Sequence, residues 1–166
     1  MAAQTGYKSM TLPRPTPPSL SLAFTIRAQI AAPIGSGPSL GGTRLHIAIT
    51  GGEITGPRLQ GRVLPGGSDW PLLRADGATQ IEALYSIEAS DGTPIIVRNN
   101  GLRTSTPEIA AKMRTGELLD PSQYYFRSTP TFDAPDGPHQ WLRETVFVAS
   151  LAPAGREIII DVFAVE

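Results

Sequence analysis

The sequence predicts an all-β fold of about 8–10 strands, closed or nearly closed into an antiparallel β-barrel or stacked as a sandwich, with one short helix near residues 106–115. Three observations carry that prediction. The 166 residues include 17 Gly and 16 Pro, a density of chain breakers suited to many turns and ill suited to long helices. Charged residues make up only 17% of the chain, so little of it has the solvated face of a surface helix. Between the breakers, short runs alternate apolar and polar residues, the period of a strand with one buried face. So many strands in one small domain close on themselves or stack, because closure removes exposed edges.

Taken in order, residues 1–18 contain Pro13, Pro15, Pro17 and Pro18 and read as a flexible or extended arm, leaving 19–166 as a single domain. A strand is expected over Leu20–Ala31, then a Gly/Pro/Ser loop over Pro33–Gly42 and a strand over Thr43–Thr50. Gly51-Gly52 is expected to turn the chain, with Glu53–Gly56 extended beyond it. Shorter strands follow at Leu59–Leu64 and Pro71–Arg74, and Ser68-Asp69-Trp70 opens the second of these. The helix begins at Thr106-Pro107-Glu108, which supplies an N-cap, a first-turn proline and an acid at the positive dipole end, and Gly116 ends it. Strands at Gln123–Thr129 and Thr131–Asp133 lead to a last hairpin, Gln140–Leu151 and Glu157–Val165.

The richest segment is Ala78–Arg103, two alternating strands joined by Asp91-Gly92. That dipeptide supplies the positive φ angles of a two-residue turn, and such a turn sets Ser90 opposite Thr93. Tyr85 then faces Arg98 and Ala83 faces Asn100, so one face carries Ile81, Ala83, Tyr85, Ile87, Ile96, Arg98, Asn100 and Leu102. A phenol, a guanidinium and an amide on the core side of a sheet need partners, since burying each unpaired costs about 1–3 kcal/mol or more. Either they satisfy one another or they line a ligand cavity. The other face includes Leu84, Ile95 and Val97 among its charges, which a homodimer contact would explain.

Composition narrows the partners. The net charge is −1 and basic residues are scattered singly, so no nucleic acid or acidic membrane surface is expected. No cysteine occurs, which removes disulfides and thiolate chemistry. The N-terminal residues lack the layout of a signal peptide and no apolar run spans a membrane, so a cytoplasmic protein is the default expectation. His46 and His139 stand alone, without the spacing of a metal site. No glycine pattern precedes a long helix to cradle a phosphate, so no cofactor is expected.

At I-T-G-G-E-I-T-G-P-R-L-Q-G-R-V-L-P-G-G-S-D-W (49–70) the chain resembles the DUF3237 family, also called UPF0311. The likeness continues through residues 81–87, 95–103, 124–132 and 141–149. It implies a lipocalin-like or allene-oxide-cyclase-like barrel, assembling as a homodimer, and no established function. Arg143 departs from the expected pattern, where Asn is anticipated after Trp141-Leu142; a cavity Asn replaced by a charge would change the ligand.

The candidate catalytic residues are Asp69, Tyr85 and Arg98. Arg98 and Asn100 could hold a carbonyl, enolate or carboxylate while Tyr85 moves a proton, with its pKa lowered by the cation. Asp69 could be a general base at the barrel mouth, with Trp70 as a wall against a planar substrate. Tyr125 and Arg127 share a face opposite Tyr124, Phe126 and Ser128, and spacing does not say which face points inward. With Trp70 and Asn100, Tyr125, Arg127 and Trp141 complete the candidate binding set, although Trp141 suits packing as well. The expectation is a cofactor-independent acid/base enzyme of isomerase, lyase or hydratase type acting on a small aromatic or enone-like molecule. The alternative is a non-catalytic barrel that binds a small hydrophobic ligand.

Overall fold

The structure, a computed structural model, describes residues 12–166. The predicted arm therefore falls largely outside the described residues, and positions 12–18 run exposed and without regular structure. The strands are β1 (Leu20–Ile30), β2 (Ile34–Ser39), β3 (Gly42–Thr55), β4 (Gly61–Val63), β5 (Gly67–Asp69) and β6 (Leu72–Leu73). They continue with β7 (Thr79–Ala89), β8 (Pro94–Thr104), β9 (Tyr125–Asp133), β10 (Phe147–Ala154) and β11 (Glu157–Val165), and one helix, α1 (Pro107–Arg114), lies between β8 and β9.

The sheet runs β1-β11-β10-β9-β8-β7-β4-β3, and β1 also pairs with β3, so the sheet closes into an eight-position antiparallel barrel. The short strands β4, β5 and β6 share one position between β3 and β7, while β2 extends β3 outside the closed ring. Closure depends on β3, which is one continuous strand across Gly51-Gly52 where a turn was expected. The glycines let β3 bend: its first part pairs with β2, β5 and β6, and its second with β1 and β4. Gly52 has φ +142°, and a Cβ there would lie 2.1 Å from the Arg27 carbonyl oxygen. Two glycines in mid-strand thus mark a barrel bend at a register shift, not a hairpin.

The helix matches its signals. Thr106 Oγ1 accepts the Ile109 N–H, Glu108 occupies the first turn, and Glu117 N–H and Gly116 N–H donate to the Lys112 and Met113 carbonyls. That pair of bonds is a Schellman cap, with Gly116 at φ +78° in the position that favours glycine.

The interior has two unlike halves. At the end nearest the β7–β8 turn, Phe24, Phe132 and Phe147 pack edge to face, with Phe132 and Phe147 centroids 5.1 Å apart, and Ile26, Ile87, Ile95 and Leu142 fill around them. Trp141 closes this plug from outside, under the Arg58 guanidinium at 4.0 Å. Toward the other end the inward positions become small, with Ala28, Ala83 and Gly101, and the lumen opens.

The β7–β8 register differs from the expected one by one residue. Tyr85 lies opposite Val97, Ala83 opposite Asn99 and Leu84 opposite Arg98. The loop is three residues, with Gly92 N–H bonded to the Ala89 carbonyl and Ala89 N–H to the Thr93 carbonyl. A two-residue turn of the expected type needs positive φ at Asp91 as well as at Gly92, and only Gly92 has it, at +87°. Asp91 instead accepts the Thr93 N–H at 3.0 Å. One residue of slip turns every side chain of β8 to the opposite face.

Candidate functional site

The open half of the barrel is a cavity of about 490 Å³, walled mainly by aliphatic side chains such as Ile30, Ile47, Ile49, Ile81 and Ile160. Its polar groups come chiefly from three adjacent strands. On β5, Asp69 lies opposite Ala83 of β7, and Ala83 lies opposite Asn99 of β8. Asp69 and Asn99 therefore flank the Ala83 methyl, about 10 Å apart at their Cα atoms. Tyr85 is the next inward residue along β7, and Arg103, opposite Thr79, stands nearer the mouth.

Each group has a defined electrostatic state. Burial pushes the Asp69 carboxyl up to about 6, against the backbone N–H groups of Glu82 and Trp70 and the charge of Arg103, which favour the ionised form. The Glu82 N–H donates to Asp69 Oδ1 at 3.0 Å and fixes the carboxylate. Burial, reinforced by the Asp69 charge, raises the Tyr85 phenol well above its ordinary value, so Tyr85 stays protonated. This reverses the expectation that a neighbouring cation lowers it. Arg103 donates to Thr79 Oγ1 at 3.3 Å; burial disfavours its charge while Asp69 supports it.

Among the described residues, two cavity atoms lack a partner. Tyr85 is 4% and Asn99 2% exposed, and neither the Tyr85 hydroxyl nor Asn99 Oδ1 makes a hydrogen bond. The Tyr124 hydroxyl, on a small annex beside Arg103 and Met113, is likewise buried and unpartnered. Buried polar atoms are normally satisfied, so unpartnered groups on residues that line a cavity mark where a ligand or water binds.

Of the sequence-predicted residues, Asp69 and Tyr85 line this cavity. The others do not. Arg98 lies on the outer wall, 3.5 Å from Asp133, and Asn100 is exposed beside it, both turned out by the register. Tyr125 is 51% exposed and Arg127 projects outward, because Tyr124, Phe126 and Ser128 are the inward set of β9. Trp70 is also outside, stacked on His46 at 5.6 Å, and Trp141 belongs to the far plug. Arg143 donates to the Ala134 carbonyl at 2.9 Å and pairs with Asp136, so it pins a loop. His139 binds Asp91 at 2.9 Å at the plugged end. Ile95 and Val97 are core residues, leaving Leu84 and Ile96 as the apolar part of that outer wall.

Asn99 and Arg103 are the cavity residues that sequence reasoning missed. The signal was present: placing Ile95 and Val97 inward and Arg98 outward satisfies burial better than the reverse. Among the described residues, no group of three or more His, Asp or Glu side chains could hold a metal ion, and no helix is long and apolar enough to cross a membrane.

A UPF0311 protein of Rhodopseudomonas palustris (strain TIE-1) is 37% identical over 142 residues, covering 86% of this chain and 93% of that protein. The crystal structure of a conserved protein of unknown function from Rhodopseudomonas palustris superposes with a TM-score of 0.86 at 35% identity, covering 92% of this chain and all of that one. A β-barrel-like protein from Acinetobacter baumannii gives 0.81 at 31% identity, over 92% and 99% of the two chains. The hydroalkoxylation enzyme phnH of Penicillium herquei is 34% identical over 84 residues, 51% of this chain and 56% of its own. An enzyme structure from Penicillium herquei shares the fold, with a TM-score of 0.69 at 23% identity over 94% and 100% of the chains. The family model described as protein of unknown function (DUF3237) matches residues 18–165, and the chain belongs to that family.

Proposed function

We propose that the barrel is an acid/base enzyme that adds O–H across the C=C of a conjugated C=C–C=O unit, or in reverse eliminates it to form that unit, in a small aromatic or enone-like substrate. The observation that carries this reading is a fixed, half-buried carboxylate sharing an apolar cavity with a buried phenol and a buried amide oxygen that have no partners of their own. The partial likeness to an enzyme named for hydroalkoxylation supports it.

In the addition direction, Asp69 accepts the proton of a substrate hydroxyl as the oxygen attacks the β-carbon, and when water is the nucleophile Asn99 Oδ1 accepts its second O–H. The C=C electron pair moves to the carbonyl oxygen, where the protonated Tyr85 donates a hydrogen bond to the developing enolate. Asp69 then returns the proton to the α-carbon. One C–O bond replaces the C=C π bond, and the proton ends on carbon. Hydration uses water as the nucleophile, and an isomerisation returns the proton to a different carbon. An Asp near 6 is matched to this work, since it gives up and regains a proton near neutrality.

The test is conversion of ortho-hydroxy enones, 2′-hydroxychalcone first, followed by absorbance against Asp69→Asn. Turnover that disappears in the variant supports the enzyme. Binding without turnover favours a carrier, and turnover that survives Asp69→Asn removes this mechanism.

A further inference from the structure

Three arginines reach the cavity mouth from three separate elements: Arg103 from β8, Arg114 from the last turn of α1, and Arg156 from the turn between β10 and β11. Among the described residues, none of the three makes an ion pair. Elsewhere the pattern is different: Arg27, Arg44, Arg62 and Arg98 on the outer wall each meet a carboxylate. The helix dipole accounts for a basic residue in the last turn of α1, but not for two more arriving at the same opening from other elements. Arg103 is held close enough to Arg114 for their charges to oppose each other. The one carboxylate lining the cavity, Asp69, lies deeper, and Glu117 lines the annex without an ion pair among the described residues.

We propose that this mouth is an anion-binding subsite, and that the ligand is an elongated apolar acid. Its carboxylate sits among Arg103, Arg114 and Arg156, and its opposite end carries a hydroxyl or carbonyl. The inner end is set by Asn99 Oδ1 and the Tyr85 hydroxyl, which lack partners. Arg103 lies four positions beyond Asn99 on β8, about 13 Å along the strand, so the ligand is about the length of two linked aromatic rings. Guanidinium forks match a carboxylate plane and stay charged at any working pH. The proposal rests on the cavity being the ligand site argued above.

The experiment is calorimetric titration with 4′-hydroxybiphenyl-4-carboxylate and with its methyl ester, at pH 8 and low salt. The acid is expected to bind the wild-type protein about tenfold more tightly than the ester, a preference weakened by 0.5 M salt. The Arg114→Gln/Arg156→Gln double variant, altered only at exposed side chains, should bring the two ligands to within about threefold. Equal affinity of acid and ester in the wild type overturns the anion subsite and leaves the cavity reading intact. A preference that survives the double variant also overturns it. Failure of both ligands to bind overturns the cavity reading along with it.

Discussion

Asp69 and Asn99 flank the methyl group of Ala83, one strand away on either side. That row sets the width of the site. The small residue in the middle leaves a gap where a larger one would bridge the two polar groups, and the Glu82 N–H holds the carboxylate on its side of it. Tyr85, next along the same face, carries a buried hydroxyl without a hydrogen-bond partner. The proposed substrate, lying on Ala83, would meet an acceptor, a base and a donor.

The Asp69→Asn variant should lose activity and gain stability in alkaline solution. Because the folded carboxyl titrates near 6 and the unfolded one near 3.9, the folded state binds its proton more tightly. Its stabilising contribution is present below about pH 4 and is lost as pH rises through about 6, a change of at most about 3 kcal/mol. Urea unfolding at pH 4 and pH 8 should show the variant gaining roughly 1–3 kcal/mol on the wild type between the two. A constant offset would contradict the assignment.

The same titration predicts the rate profile. As a general base Asp69 must be ionised, so kcat/KM should rise with pH through about 6 and then level. A profile that falls through 6 would make Asp69 the acid.

Tyr85→Phe separates function from folding. The buried hydroxyl has no partner, so its removal should leave stability unchanged or raise it by about 1 kcal/mol. Turnover of 2′-hydroxychalcone should fall by about 10²-fold, because the enolate loses its donor. Equal loss of stability and turnover would mark Tyr85 as packing.

On β8 the contrast is between neighbours. Arg98→Ala and Asn100→Ala, both on the outer wall, should change stability by no more than about 1 kcal/mol and leave ligand affinity untouched. Asn99→Leu should weaken binding of a hydroxylated ligand about tenfold or more. Calorimetry on the three variants decides the register in solution.

Gly67→Ala tests how tightly Tyr85 is placed. An added Cβ would lie 2.3 Å from Tyr85 Cβ and 2.7 Å from its Cα, so the strand itself must shift. A loss of about 1–3 kcal/mol is expected in unfolding, together with lower turnover.

The hairpin and the capped helix were legible because each has a local signature, Asp-Gly and Thr-Pro-Glu with a terminal Gly; period-two alternation between breakers marked the strands, and the family resemblance favoured a barrel over a sandwich. Asp69 and Tyr85 were legible as polar groups in apolar strands. What was not legible was one residue of register. Asp91-Gly92 fits both a two-residue loop and a three-residue loop, and only the backbone at Asp91 separates them. That single choice exchanged Arg98 and Asn100 for Asn99 and Arg103 in the cavity. The face of β9 was undetermined for a related reason, since Tyr124/Phe126 and Tyr125/Arg127 are both amphipathic pairs. The mouth arginines come from a strand, a helix end and a turn, and no sequence spacing joins them.

The most direct test is a crystal structure of the protein soaked with 4′-hydroxybiphenyl-4-carboxylate. The account predicts the ligand inside the barrel, its hydroxyl within hydrogen-bond reach of Tyr85 and Asn99 and its carboxylate among Arg103, Arg114 and Arg156. A ligand seated on the outer wall beside Arg98 and Asn100, or a lumen filled by repacked side chains, would contradict it.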